Sequence, residues 1–197
     1  MALLLALLSL PPFAPAVVPV TQAQLGASYD AGCPVPPSQL RLVRMGYWGF
    51  DGKPHRGGLV VSAGSAPDVV KVFGRLYAAR FPIRRMRPIA AYGGSDERSM
   101  AADNTSAFNC RYAVASGPRR WSVHAFGQAI DVNPVENPYL EGGKVRPRAG
   151  AAYLDRSRSR PGMAEGTLVD AFAAVGWPWG GRWSGTPDYQ HFSATGG

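Results

Sequence analysis

Cysteine and histidine are scarce in this sequence, and their scarcity limits the sites that it can build. The 197 residues include two cysteines and three histidines. Two cysteines exclude a disulfide-dense scaffold and a zinc site with four cysteine ligands. A site built from histidine would have to use nearly all three of them. No heptad or longer internal repeat is present, which excludes a coiled coil and a solenoid.

The apolar run at the N-terminus, Ala2–Leu10, is too short to span a bilayer, and no charged residue precedes Asp30. The run resembles the apolar part of a secretory signal peptide, with cleavage positions after Ala16 or Ala23. The Lys or Arg that usually precedes such a run is missing. We therefore predict export, with residues 1–23 as a signal peptide or an uncleaved tether. The alternative is an apolar tail on a cytoplasmic protein.

Acidic residues are outnumbered by basic ones, 13 to 21, which gives a formal net charge of +8. Such a balance favours polyanionic surroundings, although it can also serve solubility alone. The densest basic group is Arg156, Arg158 and Arg160, and it lacks the interleaved aromatic residues of RNA-binding modules. The charge therefore leaves an anionic membrane or an anionic cell wall as partner rather than nucleic acid, with membrane contact expected only through an uncleaved N-terminal segment. We also expect a monomer.

Hydrophobic residues make up 46% of the chain, too many for a disordered protein despite 24 glycines and 18 prolines. Strands and helices do not alternate regularly, which favours an α+β fold in one domain, with a small antiparallel sheet flanked by helices. We predict an extended lead-in over residues 24–45 and the domain itself over 46–197. The patterns predict strands at Leu59–Ala63, Pro88–Tyr92, Gln128–Asn133 and Gln190–Ala194, helices from Ser65 to near Phe81 and over Glu165–Val175, a loop over Gly93–Asn109 and a surface excursion over 136–163.

The two cysteines, Cys33 and Cys110, fit an exported protein. In an oxidising compartment they could close a long loop, which the chain-entropy model values at about 4 kcal/mol. Two independent buried thiols are the alternative.

Two segments carry the residues of a candidate metal site, SVHAFGQAID at 122–131 and DYQHF at 188–192. Catalytic zinc takes three ligands from His, Asp and Glu, and His124, Asp131 and His191 supply such a set. Asp188 is left over as a base for the attacking water. Asp131 lies on an apolar strand, where a carboxylate is costly unless it is paired or bound to a metal. Spacing alone leaves open that these residues are only solvated or hydrogen-bonded.

The first segment matches the Ser-x-His-x-x-Gly-x-Ala-x-Asp signature of the zinc D-Ala-D-Ala carboxypeptidase family, the VanY or M15 type. DYQHF is similar to the second zinc motif of that family. HRGGLVV, SMAADNTSAFNCR and GWPWGGRW also resemble its exported bacterial branch, so the likeness runs from about Cys33 to Phe192. The resemblance implies a hedgehog/DD-peptidase type of zinc fold and hydrolysis of peptidoglycan stem peptides.

By this resemblance His124, Asp131 and His191 are the zinc ligands and Asp188 is the general base. D-Ala-D-Ala peptidases of the family have Glu at the base position, whereas phage L-alanyl-D-glutamate endopeptidases have Asp. The cleaved bond therefore stays open between the two classes. Arg111 falls where the family has an arginine that faces the scissile carbonyl. It would stabilise the oxyanion or hold a substrate carboxylate, with a surface salt bridge as the alternative.

Other residues have weaker assignments. Ser122 either orients the substrate or caps the turn that carries His124. His55 is expected to make a structural hydrogen bond. Gly127, which lies between two of the ligands, is expected either to adopt a positive φ or to allow a close approach of the backbone. Three tryptophans, Trp177, Trp179 and Trp183, either line a groove or pack against the strand that carries the metal ligand.

Three hypotheses about function follow. The first is a zinc peptidase that acts on peptidoglycan, and the second is a zinc-stabilised module that only binds the cell wall. The third is an exported structural protein without metal. Loss of Asp188 or Arg111 would favour the binding module, and both are present.

Overall fold

The structure, a computed structural model, describes residues 13–114 and 118–196. Helices and small sheets are mixed irregularly along the chain, which confirms the predicted α+β class. The strands are β1 (Ala16–Pro19), β2 (Leu40–Trp48), β3 (Pro54–Ser62), β4 (Arg85–Met86), β5 (Asn104–Thr105), β6 (Ala129–Asp131), β7 (Tyr139–Glu141), β8 (Lys144–Arg146) and β9 (His191–Ser193). The α-helices are α1 (Gln22–Leu25), α2 (Ala66–Ala78), α3 (Asp96–Ala101) and α4 (Gly166–Ala173).

The largest sheet is antiparallel, in the order β1-β2-β3. Its long pair, β2 and β3, runs in register from Leu40 opposite Ser62 to Trp48 opposite Pro54. The helix α2 follows directly, with a proline in its first turn and Asp68 near its positive end. Its apolar residues recur at helical spacing and are buried, so α2 packs along the sheet as the sequence predicted.

One apolar core joins this sheet to α2, α4 and the strands of the candidate site. Phe172 of α4 stacks on Phe192 of β9 with ring centroids 4.1 Å apart, and it meets Phe73 of α2 edge to face. Such aromatic contacts stabilise the fold by more than the burial of their apolar area alone. The strand that carries His191 is therefore fixed by the hydrophobic core.

Three two-stranded sheets complete the fold: a parallel pair β4–β5 and the antiparallel pairs β6–β9 and β7–β8. Two sequence expectations are wrong here. The predicted strand Pro88–Tyr92 is a 3-10 helix over Ile89–Tyr92, which ends at Gly93 with a positive φ of 60°. The predicted loop after it contains α3, because the Ser95 side chain caps that helix by accepting a hydrogen bond from Arg98 N.

The segment predicted as an extended lead-in overlaps the end of α1 and contains two 3-10 helices, over Gly26–Ser28 and Pro37–Gln39. The strand β2 crosses the predicted boundary at residue 46, and β1 pairs with it. Of the two predicted cleavage positions, Ala16 is the first residue of β1 and Ala23 lies inside α1. The apolar run at 2–10 lies outside the described residues, and both the cleavage and the domain boundaries stay predictions.

The predicted disulfide between Cys33 and Cys110 is present, with the two Cα atoms 5.7 Å apart. The backbone N–H of Cys110 also donates to the carbonyl of Ser28. The N-terminal segment is thereby tied to the middle of the chain, next to Arg111. Within the described residues, no helix combines the length and the apolar character needed to cross a membrane.

Candidate functional site

Three buried side chains converge at the junction of β6 and β9. His124 Nε2 lies 3.2 Å from Asp131 Oδ2, and His191 Nδ1 lies 3.2 Å from Asp131 Oδ1. The two ring nitrogens, Nε2 of His124 and Nδ1 of His191, are 3.3 Å apart. All three residues are at most 6% exposed. The sequence predicts these three residues as a ligand set, and the fold brings them together.

Local structure explains how residues far apart in sequence meet here. Asp131 and His191 are directly opposite one another in the antiparallel pair β6–β9, so their side chains project from the same face. His124 reaches them from a 3-10 helix over Val123–Phe126. The hydroxyl of Ser122 caps that helix by accepting a hydrogen bond from His124 N.

The turn between His124 and Asp131 requires glycine at position 127. Gly127 has a φ of 66°, a conformation that side chains rarely adopt. A Cβ there would also lie 2.5 Å from Ser62 N, which is closer than atoms can approach. Glycine is therefore required for both of the reasons expected from the sequence: a positive φ and a close approach to β3.

The donor set fits a metal ion. The Nδ1 of His124 lies 2.6 Å from the carbonyl of Ala107, which can only accept, so Nδ1 carries the proton. In the neutral ring, Nε2 then presents a lone pair to Asp131 and His191, the orientation typical of a ligating histidine. A tetrahedral ion with bonds of about 2.0 Å places its ligands about 3.3 Å apart. The distance between the two ring nitrogens, 3.3 Å, has that spacing, and each ring nitrogen lies 3.2 Å from one of the two carboxylate oxygens of Asp131.

The side chains of the cluster shift one another's pKa values. Burial alone would lower the pKa of His124, but the charge and hydrogen bond of Asp131 raise it. Burial alone would raise the pKa of Asp131, but the two imidazoles hold it well below its usual range. The carboxylate of Asp131 is therefore ionised and available as a ligand, while His191 Nε2 has no hydrogen-bond partner among the described residues.

Asp188 lies beside the cluster but does not join it. Its Oδ1 is inaccessible to solvent and has no hydrogen-bond partner in the described part of the chain. Burial, and after it the charge of Asp131, raises the pKa of Asp188 to about 7. A loop containing Gly180 packs against it closely, since a Cβ on Gly180 would lie 2.8 Å from the carbonyl oxygen of Asp188. A carboxyl group with such a pKa can both take and give a proton near neutrality.

These residues line a groove of about 410 Å³. Arg111 lies in its wall and forms an ion pair with Asp96 at 2.9 Å, so it is both a groove residue and a member of a salt bridge. Ser122 also lines the groove, and its hydroxyl is the acceptor for His124 N. The capping role is therefore present, while the assignments of Arg111 and Ser122 to substrate stay predictions.

Comparison with known proteins supports the resemblance found in the sequence. Residues 116–194 match a family model described as D-alanyl-D-alanine carboxypeptidase. The family resemblance is confirmed over this segment. We call residues 116–194 the peptidase segment. No curated protein and no solved structure matches the chain, so the likeness to the hedgehog fold stays a prediction.

The peptidase segment contains the three clustered residues and Asp188, whereas Arg111 and both cysteines precede it. It also contains the tryptophans, which divide between the two expected roles. Trp183 lines the groove, with its ring 5.1 Å from that of His191. Trp177 and Trp179 pack into or against the core around Phe192. His55 lies outside the segment and contacts Asp51 at 3.0 Å, the structural role that we expected.

Sequence reasoning missed Tyr139, Glu141, Arg146 and Gln190, all of which line the groove. The first three belong to the hairpin β7–β8, which lies in the segment predicted as a surface excursion. The signal was available: apolar and polar residues alternate on both sides of Gly142-Gly143, a typical hairpin turn. Gln190 is almost fully buried, and its Oε1 has no hydrogen-bond partner among the described residues.

Proposed function

We propose that the protein is a zinc-dependent peptidase that hydrolyses peptidoglycan stem peptides, with D-alanyl-D-alanine carboxypeptidase activity as the favoured reaction. The observation that carries the proposal is the buried cluster of His124, Asp131 and His191. It has ligand spacing, and it lies in a segment that matches this family. The family description supports a peptidase that acts on D-Ala-D-Ala.

The residues that would hold zinc are His124 through Nε2, Asp131 through its carboxylate and His191 through Nδ1. This set of two nitrogens and one oxygen suits zinc better than the harder cations, which prefer more oxygen ligands. When bound, zinc polarises a carbonyl group and makes water more acidic.

Asp188 would take the proton of the attacking water and deliver it to the leaving amine. Its burial, its unpartnered Oδ1 and its raised pKa support this role. The guanidinium of Arg111 faces the same groove and would stabilise the negative oxygen that develops on the scissile carbonyl. Asp96, which also lines the groove, forms an ion pair with Arg111. Ser122 contributes by fixing the turn that carries His124.

The location of the protein is part of this proposal. The disulfide Cys33–Cys110 supports an oxidising compartment, because such bonds are rare in the cytosol. The net charge of +8 favours contact with a wall rich in carboxylate and phosphate groups. We therefore propose an exported, monomeric enzyme whose substrate is the cell wall.

One specific observation favours a second reaction. The base position holds Asp188, as in the endopeptidases of the family that cut L-alanyl-D-glutamate bonds. An endopeptidase is therefore the second candidate, and a zinc-stabilised module that only binds the wall is a possible outcome of the test below.

The test is to incubate zinc-loaded protein with defined muropeptides and to identify the products by mass spectrometry. We expect loss of one terminal D-alanine. Cleavage after L-alanine instead would establish the endopeptidase, and no cleavage with retained binding of wall fragments would refute the peptidase. A matched control is His55→Ala, which removes a histidine outside the groove and should cleave like the parent.

A further inference from the structure

Three groove residues lie side by side across neighbouring chain segments. Tyr139 is directly opposite Asp188 in an antiparallel bridge and directly opposite Arg146 in the β7–β8 hairpin. Hydrogen bonds from Leu140 N to Pro187 O and from Tyr189 N to Pro138 O flank the first pair, which makes it the closely spaced type. Residues that are directly opposite project from the same face. Asp188, Tyr139 and Arg146 therefore form a row along the groove, and all three line it.

The row leads away from the His/Asp/His cluster. The charge of Asp131 acts on Asp188, which stands at one end of the row. The charge of Asp188 in turn acts on Tyr139, together with those of Glu141, Arg111 and Arg146. The order along the groove is therefore the cluster, the base, the phenol and the guanidinium.

This order decides which half of a substrate the row contacts. A base that passes its proton to the leaving amine must lie within hydrogen-bond reach of that nitrogen. The residue on the leaving side of the scissile bond therefore lies beside Asp188. Its carboxylate, only a few bonds from the nitrogen, would face Tyr139 and Arg146.

Both side chains can donate hydrogen bonds to a carboxylate. The hydroxyl of Tyr139 makes no hydrogen bond to a described residue, and burial raises its pKa, so it keeps its proton. Arg146 forms one ion pair within the described residues, from Nε to Glu141 Oε2 at 2.6 Å. A guanidinium has five N–H donors, so this pair leaves donors for a second carboxylate.

The groove is rich in acidic side chains, so a substrate carboxylate needs such donors to bind there. Asp96, Glu97 and Glu141 also line it, and they would repel a negatively charged substrate end. An anion is accepted at such a place only where a cation offsets the repulsion. Arg111 and Arg120 also line the groove, and Arg146 is the cation that lies directly opposite Tyr139.

We propose that Tyr139 and Arg146 form the subsite for the free carboxylate of the residue that is released. The inference rests on the proposed function and deepens it, since a site for a terminal carboxylate selects a carboxypeptidase over an endopeptidase. An internal peptide bond would present an uncharged amide at this position and would gain nothing from Arg146.

The test compares two substrates that differ only at the C-terminus: a stem peptide that ends in D-Ala-D-Ala, and the same peptide as its terminal amide. For the parent, we expect kcat/KM to be about 10- to 100-fold higher for the acid, the effect of a charged hydrogen bond. Arg146→Gln should remove most of that preference, mainly by raising KM for the acid. Tyr139→Phe should reduce the preference less. The matched control is Arg148→Gln, an exposed arginine outside the groove, which should keep the preference of the parent.

Each outcome bears on the inference separately from the proposed function. A parent that cleaves acid and amide equally well would overturn the subsite while leaving the peptidase in place. An equal loss on both substrates in Arg146→Gln would also overturn it. If the parent cleaves neither peptide, the proposed function fails. Calorimetric binding of free D-Ala-D-Ala and of its amide then tests the subsite directly, and equal affinities would refute it. Arg146→Lys, which keeps the charge, should retain part of the preference and provides a second variant if Arg146→Gln does not fold.

Discussion

Replacing Asp188 with Asn should separate proton transfer from metal binding. The substitution is nearly isosteric, and Oδ1 of Asp188 has no hydrogen bond among the described residues that it could lose. Burial and Asp131 raise the pKa of Asp188 to about 7, so its surroundings already favour a neutral side chain. The free energy of unfolding should therefore not fall, and zinc should stay bound.

Catalysis should respond differently, because an amide cannot accept and pass on a proton. General base catalysis is worth about 10²- to 10⁴-fold, so kcat should fall by that factor. This loss corresponds to about 3–5 kcal/mol of transition-state stabilisation. The change in KM should be much smaller, since the interaction is made mainly on the way to the transition state.

The assay is zinc content and muropeptide hydrolysis on the same preparation. Asp170→Asn is the matched control, because it makes the same chemical change on the exposed face of α4. If Asp188→Asn retains zinc and hydrolyses as fast as the parent, Asp188 is not the base. If it loses zinc, Asp188 is a ligand and the geometry has been misread.

Three further predictions concern the metal, the disulfide and a second buried carboxyl group. Purified protein should carry about one zinc per chain. His191→Ala should lose most of it, and full occupancy in that variant would exclude this ligand set. Replacing Cys33 and Cys110 together with serine should lower the free energy of unfolding by about 4 kcal/mol in urea titrations, and an unchanged midpoint would contradict this. Burial, aided by Asp103, raises the pKa of Glu136 from 4.5 to about 8, so the native state keeps a proton that the unfolded chain loses between these pH values. The free energy of unfolding should therefore fall as pH rises from 4.5 to about 8. This fall should be smaller in Glu136→Gln. In the control Glu97→Gln, which changes an exposed glutamate, it should be as large as in the parent.

The sequence predicted the cluster of His124, Asp131 and His191 well because its signals are local and chemically specific. A carboxylate on an apolar strand, as at Asp131, has few structural explanations. The long helix α2 was equally clear, since its apolar residues follow a helical period. The predicted ends of α2 and of the strand that carries Asp131 agree with the structure to within a few residues.

The groove was less predictable because tertiary contacts build it. Nothing near Tyr139 in the sequence indicates that Asp188 lies opposite it, since that pairing depends on how two distant segments meet. The short helix α3 was missed for another reason. Its signal is the cap at Ser95, which lies inside a stretch rich in glycine and serine that is typical of a loop.

The turn at Gly127 has a consequence for engineering the protein. The carbonyl of Gly127 accepts a hydrogen bond from Ser62 N, and the carbonyl of Gln128 accepts one from Ala194 N. One short turn thus fastens the largest sheet and the site strands to each other. A grafted loop of different length would separate them, so libraries should leave this turn untouched. The tip of the β7–β8 hairpin is the better place for insertions, because the space around Gly142 and Gly143 is open.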